Sequence, residues 1–303
     1  MRKGIRLGVD VGGTVVKLAL VDERGRVADR RTVETSGRPK TLAAALRRAV
    51  GPWLKGRRVL GTGVGVAGDV DPKRGVVRFA PNLGWKNVPL KSLLLAAGFP
   101  RPLRIDNDAT AAAWGARHTE VGGRVPNLIV LTLGTGVGGG LVIDGKLYHG
   151  STGTAGELGH VCVDPDGPRC GCGAKGCLEV FVGNRHLVSW ARGEYARRNR
   201  RAPAGLTPQS LNERARSGDV VARAAWERAG RALGVAIAGF LNAFNPDAVL
   251  LTGGLAAAAP RFLPALRREL STRAFRTPRR AARILVSART NDLGVVGAAL
   301  LIP

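Results

Sequence analysis

Two segments of this 303-residue chain read alike: a buried strand, a glycine-rich turn and a second buried strand. The first runs IRLGVD (5–10), a GGT turn and VVKLALV (15–21). The second, about 125 residues on, is LIVLTLGTGVGGGLVIDGKLYHG (128–150), where Asp144-Gly145 signals a hairpin into a third strand. Apolar runs that turn back through glycine predict antiparallel pairing. Their recurrence predicts two α/β halves facing a cleft. The stretch VGGRVP (121–126) reads as a short linker, which puts the boundary near 118–126.

Other elements follow from periodicity and breakers. Strands are expected at 26–33, 59–68, 103–105, 248–254 and 283–287. Helices are expected at 41–54, 89–98, 106–118, 207–216, 218–243, 260–272 and 291–301. Strands first, then strands alternating with helices, is the pattern of a mixed α/β fold.

Composition narrows the function classes. The longest apolar stretch, Leu233–Phe244, is broken by glycines and is far shorter than the ~20 residues that cross a bilayer. The start, MRKGIRLGVDVGGT, is too interrupted for a signal peptide. Clustered cysteines without a secretory signal suit a reducing compartment, so a soluble cytoplasmic protein without a membrane partner is expected. The net charge of +25, carried largely by 38 arginines, would attract a polyanion. With aromatics at 5% there is little to stack bases. The charge is therefore read as spread over solvated faces, with no specific nucleic-acid partner.

All four cysteines lie between 162 and 177, in the run HVCVDPDGPRCGCGAKGC that starts at His160. His160, Cys170, Cys172 and Cys177 make a set that suits tetrahedral zinc, with Cys162 the leftover thiol. A loop so rich in glycine and proline buries little, and a metal would rigidify it. Glu157 and Glu179 flank it. Carboxylates and an imidazole held this way suit the hydroxyls of a sugar, although both residues also read plainly as surface acids. Asn82, in PNLGW (81–85), is a further hydroxyl contact or an ordinary turn residue.

Three glycine turns follow strands: DVGGT (10–14), GTGVGGG (134–140) and LTGG (251–254). Turns without side chains let backbone N–H groups approach phosphate oxygens. None matches the P-loop or the dinucleotide fingerprint. Asn107 and Asp108 stand where a strand meets a helix. They read either as helix caps or as a base and an aligning amide for phosphoryl transfer to a hydroxyl. His118, His149 and His186 have no partner visible in the sequence and read as structural or exposed.

Taken together, DVGGTVVKLALVD, PNLGW, DNDATAAAWGA, LTLGTGVGGGLVIDGKLYHGSTGTAGELGHVCVD, CGCGAKGCLE, LLTGG and NDLGVVGAAL resemble the ROK family of sugar kinases and repressors. That family is a branch of the actin/hexokinase-like ATPases, and within it the chain is similar to bacterial glucokinases. The resemblance implies two ribonuclease-H-like domains around a central cleft. They would be 1–118, with 291–303 packing back on it, and 119–290, carrying the zinc loop. It implies that Asp108 takes the proton of a hexose 6-hydroxyl, and that Asn82, Asn107, Asp108, Glu157, His160 and Glu179 bind the sugar. His160 would also ligate structural Zn²⁺ with Cys170, Cys172 and Cys177. Gly12, Gly13, Thr14, Gly134, Thr135 and Gly136 would hold ATP phosphates, Gly253 and Gly254 the adenosine, and Asp10 would position Mg²⁺ through water. Ala67 and Thr110 depart from a proline and an asparagine common in the family, and neither carries a named role.

The expected activity is ATP- and Mg²⁺-dependent phosphorylation of a hexose, glucose before N-acetylmannosamine, N-acetylglucosamine or fructose. Polyphosphate as donor ranks lower, because polyphosphate-using relatives usually lack the three-cysteine loop. A sugar-responsive repressor is disfavoured, since DVGGT begins at residue 10 and leaves no room for a preceding winged helix. A homodimer or homotetramer is expected from the family.

Overall fold

The computed structural model describes residues 4–288 and 292–303. Asn291, where the terminal helix was expected to start, lies outside the described residues, as do domain-end positions 1–3, 289 and 290. Internal contacts group the chain into two units, Met1–Pro126 with Gly140–Gly156 and Asn291–Pro303, and Asn127–Gly139 with Glu157–Thr290.

The first unit begins with strands β1 (Ile5–Val11), β2 (Val15–Val21) and β3 (Val27–Glu34), then helix α1 (Pro39–Leu54) and strand β4 (Val59–Val66). Three short strands follow, β5 (Asp69–Asp71), β6 (Val76–Ala80) and β7 (Trp85–Val88), before helix α2 (Leu90–Ala96), strand β8 (Leu103–Asn107) and helix α3 (Asp108–Thr119). The main sheet orders β3-β2-β1-β4-β8, with β1, β4 and β8 parallel and the β1-β2-β3 meander antiparallel. Leu7, Val9 and Leu18 are buried on the sheet, and Leu42, Leu46, Val50 and Trp53 are buried from α1. Those four α1 positions recur every three to four residues, so they form one apolar stripe.

The chain continues through β9 (Leu128–Leu133), β10 (Val137–Ile143) and β11 (Lys146–Leu147), the last part of β10 and all of β11 grouping with the first unit. Helices α4 (Glu179–Val182), α5 (Asn184–Arg197), α6 (Pro208–Arg216) and α7 (Val220–Phe244) lead to strand β12 (Ala248–Thr252). Helices α8 (Ala259–Arg273) and α9 (Arg276–Ala281), strand β13 (Arg283–Val286) and helix α10 (Leu293–Leu300) complete the fold. The second sheet orders β11-β10-β9-β12-β13, with β9, β12 and β13 parallel. Counted from its own first strand, each sheet therefore runs 3-2-1-4-5. This is the repeated ribonuclease-H-like topology of the actin/hexokinase-like fold.

Helix α10 lies on the first sheet, where Val295, Val296 and Ala299 are buried with Ala19 and Val21. Glycine permits this approach: a Cβ on Gly63 of β4 would stand 1.7 Å from the Ala298 carbonyl oxygen. Strand β8 runs two residues beyond the expected 103–105. Asp106 and Asn107 thus belong to the strand, and the helix expected from 106 starts at Asp108. Strands β4 and β12 stop at Val66 and Thr252, where the glycine turns expected within 59–68 and 248–254 begin. Among the described residues, no helix is long and apolar enough to cross a membrane.

Candidate active site

In open α/β sheets, ligand-binding residues gather beyond the carboxyl ends of parallel strands. Register puts Asp10, Gly65 and Asp106 in one row across β1, β4 and β8, and Val11, Val66 and Asn107 in the next. The first unit thus gathers Asp10, the 12–14 turn, Asn107 and Asp108 at one end of its sheet. In the second sheet Thr132 of β9 pairs with Thr252 of β12, so Gly134–Gly136 and Gly253–Gly254 leave adjacent parallel strands at corresponding ends.

Asp10 senses the charge of Asp108. Burial, and then the Asp108 charge, push Asp10 up to about 6, while its cross-strand neighbour Lys17 works the other way. Burial also raises Asp108, against the N–H of Ala109, which donates to its carboxylate at 2.9 Å. Some surface of Asp108 stays accessible. Its carboxyl is nonetheless crowded by protein atoms, the condition that favours a basic carboxylate. Gly294, in the first turn of α10, faces Asp10, for a Cβ there would be 2.9 Å from Oδ2.

Asn107 is a helix cap. Its Oδ1 accepts from Ala109 and Thr110 at 2.8 and 3.0 Å, and its Nδ2 donates to the Gly68 carbonyl at 3.1 Å. One amide hydrogen is left for a ligand. Asn82 sits exposed in a short 3₁₀ turn, beside Gly13, whose added Cβ would come within 3.3 Å of the Asn82 Cβ. The 12–14 turn is itself braced by Thr35, whose hydroxyl donates to the Gly12 carbonyl at 2.8 Å.

In the second unit, His160, Cys170, Cys172 and Cys177 bring four ligand atoms within 4.8 Å of one another. Cys170 Sγ is 3.6 Å from His160 Nδ1, and Cys172 Sγ is 3.7 Å from Cys177 Sγ. A tetrahedral ion ~2.3 Å from sulfur and ~2.0 Å from nitrogen sets two sulfurs about 3.8 Å apart, and sulfur and nitrogen about 3.5 Å apart. The donor set fits zinc. Burial and the neighbouring thiols push Cys177 up to about 12 and burial raises Cys170, whereas the Ala174 N–H lowers Cys172; a bound cation would favour the thiolate at all three. Cys162 is exposed and pairs through its backbone with Cys177. The other ring nitrogen, His160 Nε2, faces Glu157 Oε2 at 3.9 Å. Glu179 joins the cluster to the glycine turn, its Oε2 accepting the Val137 N–H at 3.0 Å while Oε1 lies 3.9 Å from Cys170 Sγ. Gly253, at φ 90°, fits closely against the end of β9, where a Cβ would be 2.4 Å from the Leu133 carbonyl oxygen. Gly254 is open.

Two residues of this neighbourhood were not named from the sequence, and a third, His149, was named without a partner. Lys17 and Thr35 are legible only once the β1-β2-β3 meander is in register. His149 is 43 residues from its partner, Asp106, and nothing in the local pattern joins them.

The ROK family model matches residues 6–303. Glucokinase from Streptomyces coelicolor is 34% identical over 98% of this chain and 96% of its own. A ROK family glucokinase from Streptomyces griseus, solved with glucose and AMPPNP, is 34% identical over 99% of both chains, with a TM-score of 0.85. The xylose repressor of Caldicellulosiruptor bescii is also 34% identical, over 72% of this chain and 56% of its own. On the extent of the family match and of these identities, the chain belongs to the ROK family.

Proposed function

We propose that this protein is an ATP-dependent hexose kinase that phosphorylates glucose at its 6-hydroxyl. The observation that carries the reading is the Asp108 carboxyl, crowded and made more basic by burial where β8 meets α3. The glucokinase relatives, and the glucose and AMPPNP bound to the Streptomyces griseus enzyme, support the choice of acceptor and donor.

Asp108 accepts the proton of the sugar's 6-hydroxyl as that oxygen bonds to the terminal phosphorus. The bond from that phosphorus to the bridging oxygen breaks, and ADP leaves with its electrons. Such transfer needs alignment, one base and phosphate stabilisation. Asn82, the remaining amide hydrogen of Asn107, Glu157, His160 Nε2 and Glu179 orient the sugar hydroxyls. The backbone of Gly12, Gly13, Thr14, Gly134, Thr135 and Gly136 takes the phosphates, and Gly253 and Gly254 flank the adenosine. His160, Cys170, Cys172 and Cys177 would hold Zn²⁺, which would supply rigidity to the loop and fix the His160 ring. Asp10 would help to hold Mg²⁺, which would supply charge neutralisation at the phosphates.

The test is a coupled assay of purified protein across hexoses, with ATP or polyphosphate as donor. The highest kcat/KM is expected for glucose with ATP. Preference for an N-acetylated hexosamine, or for polyphosphate, would replace the corresponding half of the reading, and no turnover on any sugar would remove it.

A further inference from the structure

His149, just after β11, is bound to the strand that presents the base. Its Nε2 lies 2.7 Å from Oδ2 of Asp106, whose residue is only 4% exposed. The other Asp106 oxygen accepts the backbone N–H of Asn107 at 2.9 Å. Asn107 in turn caps α3 with its side chain, and Asp108 is the first residue of that helix. The loop after His149 is anchored as well. The Ala155 N–H donates to the His149 carbonyl at 3.1 Å, and Arg78 donates to the Thr152 carbonyl at 2.8 Å while pairing with Asp69 and Asp71. A carboxylate buried this far keeps one orientation only while both oxygens are satisfied.

We infer that His149 is a positioning residue for phosphoryl transfer: by donating to Asp106 it fixes the strand end from which Asn107 and Asp108 are presented. This rests on the reading of Asp108 as the base. The hydrogen bond to Asp106 also raises the His149 pKa against the opposing effect of burial. Because His149 acts through the alignment of another group, its loss should appear in kcat more than in sugar binding.

The test compares His149→Ala, His149→Gln and Asp108→Ala in steady-state kinetics with glucose and ATP, with folded content followed by circular dichroism. His149→Ala should lower kcat about ten- to a hundredfold, the scale of a small misplacement of a reacting group, with the glucose KM within about threefold. His149→Gln places an amide nitrogen near the position of Nε2 and should recover most of kcat. Parental kcat in His149→Ala beside an inactive Asp108→Ala overturns the positioning role alone. A loss that merely follows a reduced folded fraction, without rescue by glutamine, overturns it too. Activity in Asp108→Ala removes the base itself, a separate failure. Should His149→Ala not fold, Asp106→Asn decides, since it keeps an acceptor for the Asn107 N–H but loses the charge. Reduced kcat at unchanged KM then supports the role, and parental kcat ends it.

Discussion

The Glu179 carboxylate accepts the backbone N–H of Val137 at 3.0 Å, tying the residue that follows the cysteine loop to the glycine turn after β9. The Asn184 N–H adds a second tie, donating to the Gly134 carbonyl at 3.0 Å. A side chain at Gly136 would collide with this arrangement, its Cβ standing 2.2 Å from Glu179 Oε2.

Gly136→Ala should therefore displace the turn and Glu179 together. We expect the KM values for glucose and for ATP to rise together, by about tenfold each, on the scale of one lost hydrogen bond to a charged group. Steady-state kinetics checks this, and a change in only one KM would show that the two are not joined through Glu179.

Removing the base should separate binding from turnover. Asp108→Asn is expected to lower kcat by about 10²- to 10⁴-fold, the usual contribution of a positioned base. Calorimetric affinity for glucose should stay within about threefold of the parent. A variant that keeps parental kcat would exclude Asp108.

The pH dependence follows from the direction of the shift. A carboxyl whose pKa rises on folding is protonated at a higher pH than a free one, so the base is lost as pH falls through the raised value. The acid limb of the kcat/KM profile should lie above the ordinary carboxylate range of about 4. A profile flat down to that range would contradict it.

Asp10 makes an opposite demand on stability. Below the unfolded value both states are protonated and its shift has no effect. As pH rises from 3.8 to about 6 the folded state must ionise a buried group, and stability is lost. Asp10→Asn should stabilise the metal-free protein at pH 8 by on the order of 3 kcal/mol, and leave it unchanged near pH 3. Thermal melts at the two pH values, alongside loss of turnover, provide the measurement.

The cysteine loop should carry about one zinc per chain by elemental analysis. Chelation, or Cys177→Ser, should lower Tm by on the order of 10 °C and raise the KM for glucose. Metal-free protein with parental KM and Tm would refute the structural role.

Both sheets were legible because their strands are apolar runs punctuated by glycine. The Cys170, Cys172 and Cys177 spacing announced a metal set before any fold was considered. Less was visible where pattern is weak. Strands β5, β6 and β7 are three to five residues long and too short to alternate convincingly. Helix α5 buries only Leu187, Ala191 and Tyr195, so its stripe is thin against many charges. Asn107 read equally as a cap or a ligand, and only its two accepted N–H groups reveal how much of it the fold already uses. The His149–Asp106 contact depends on tertiary closure, which no local spacing encodes.

The seat of α10 on β1, β2 and β4 has a consequence for biosynthesis. Ala19 and Val21 meet water until residues beyond 292 have been made. The opening half therefore cannot complete its apolar packing until α10 has been made. It waits, apolar side bare, for its last helix, and in that interval a chaperone would find its hold.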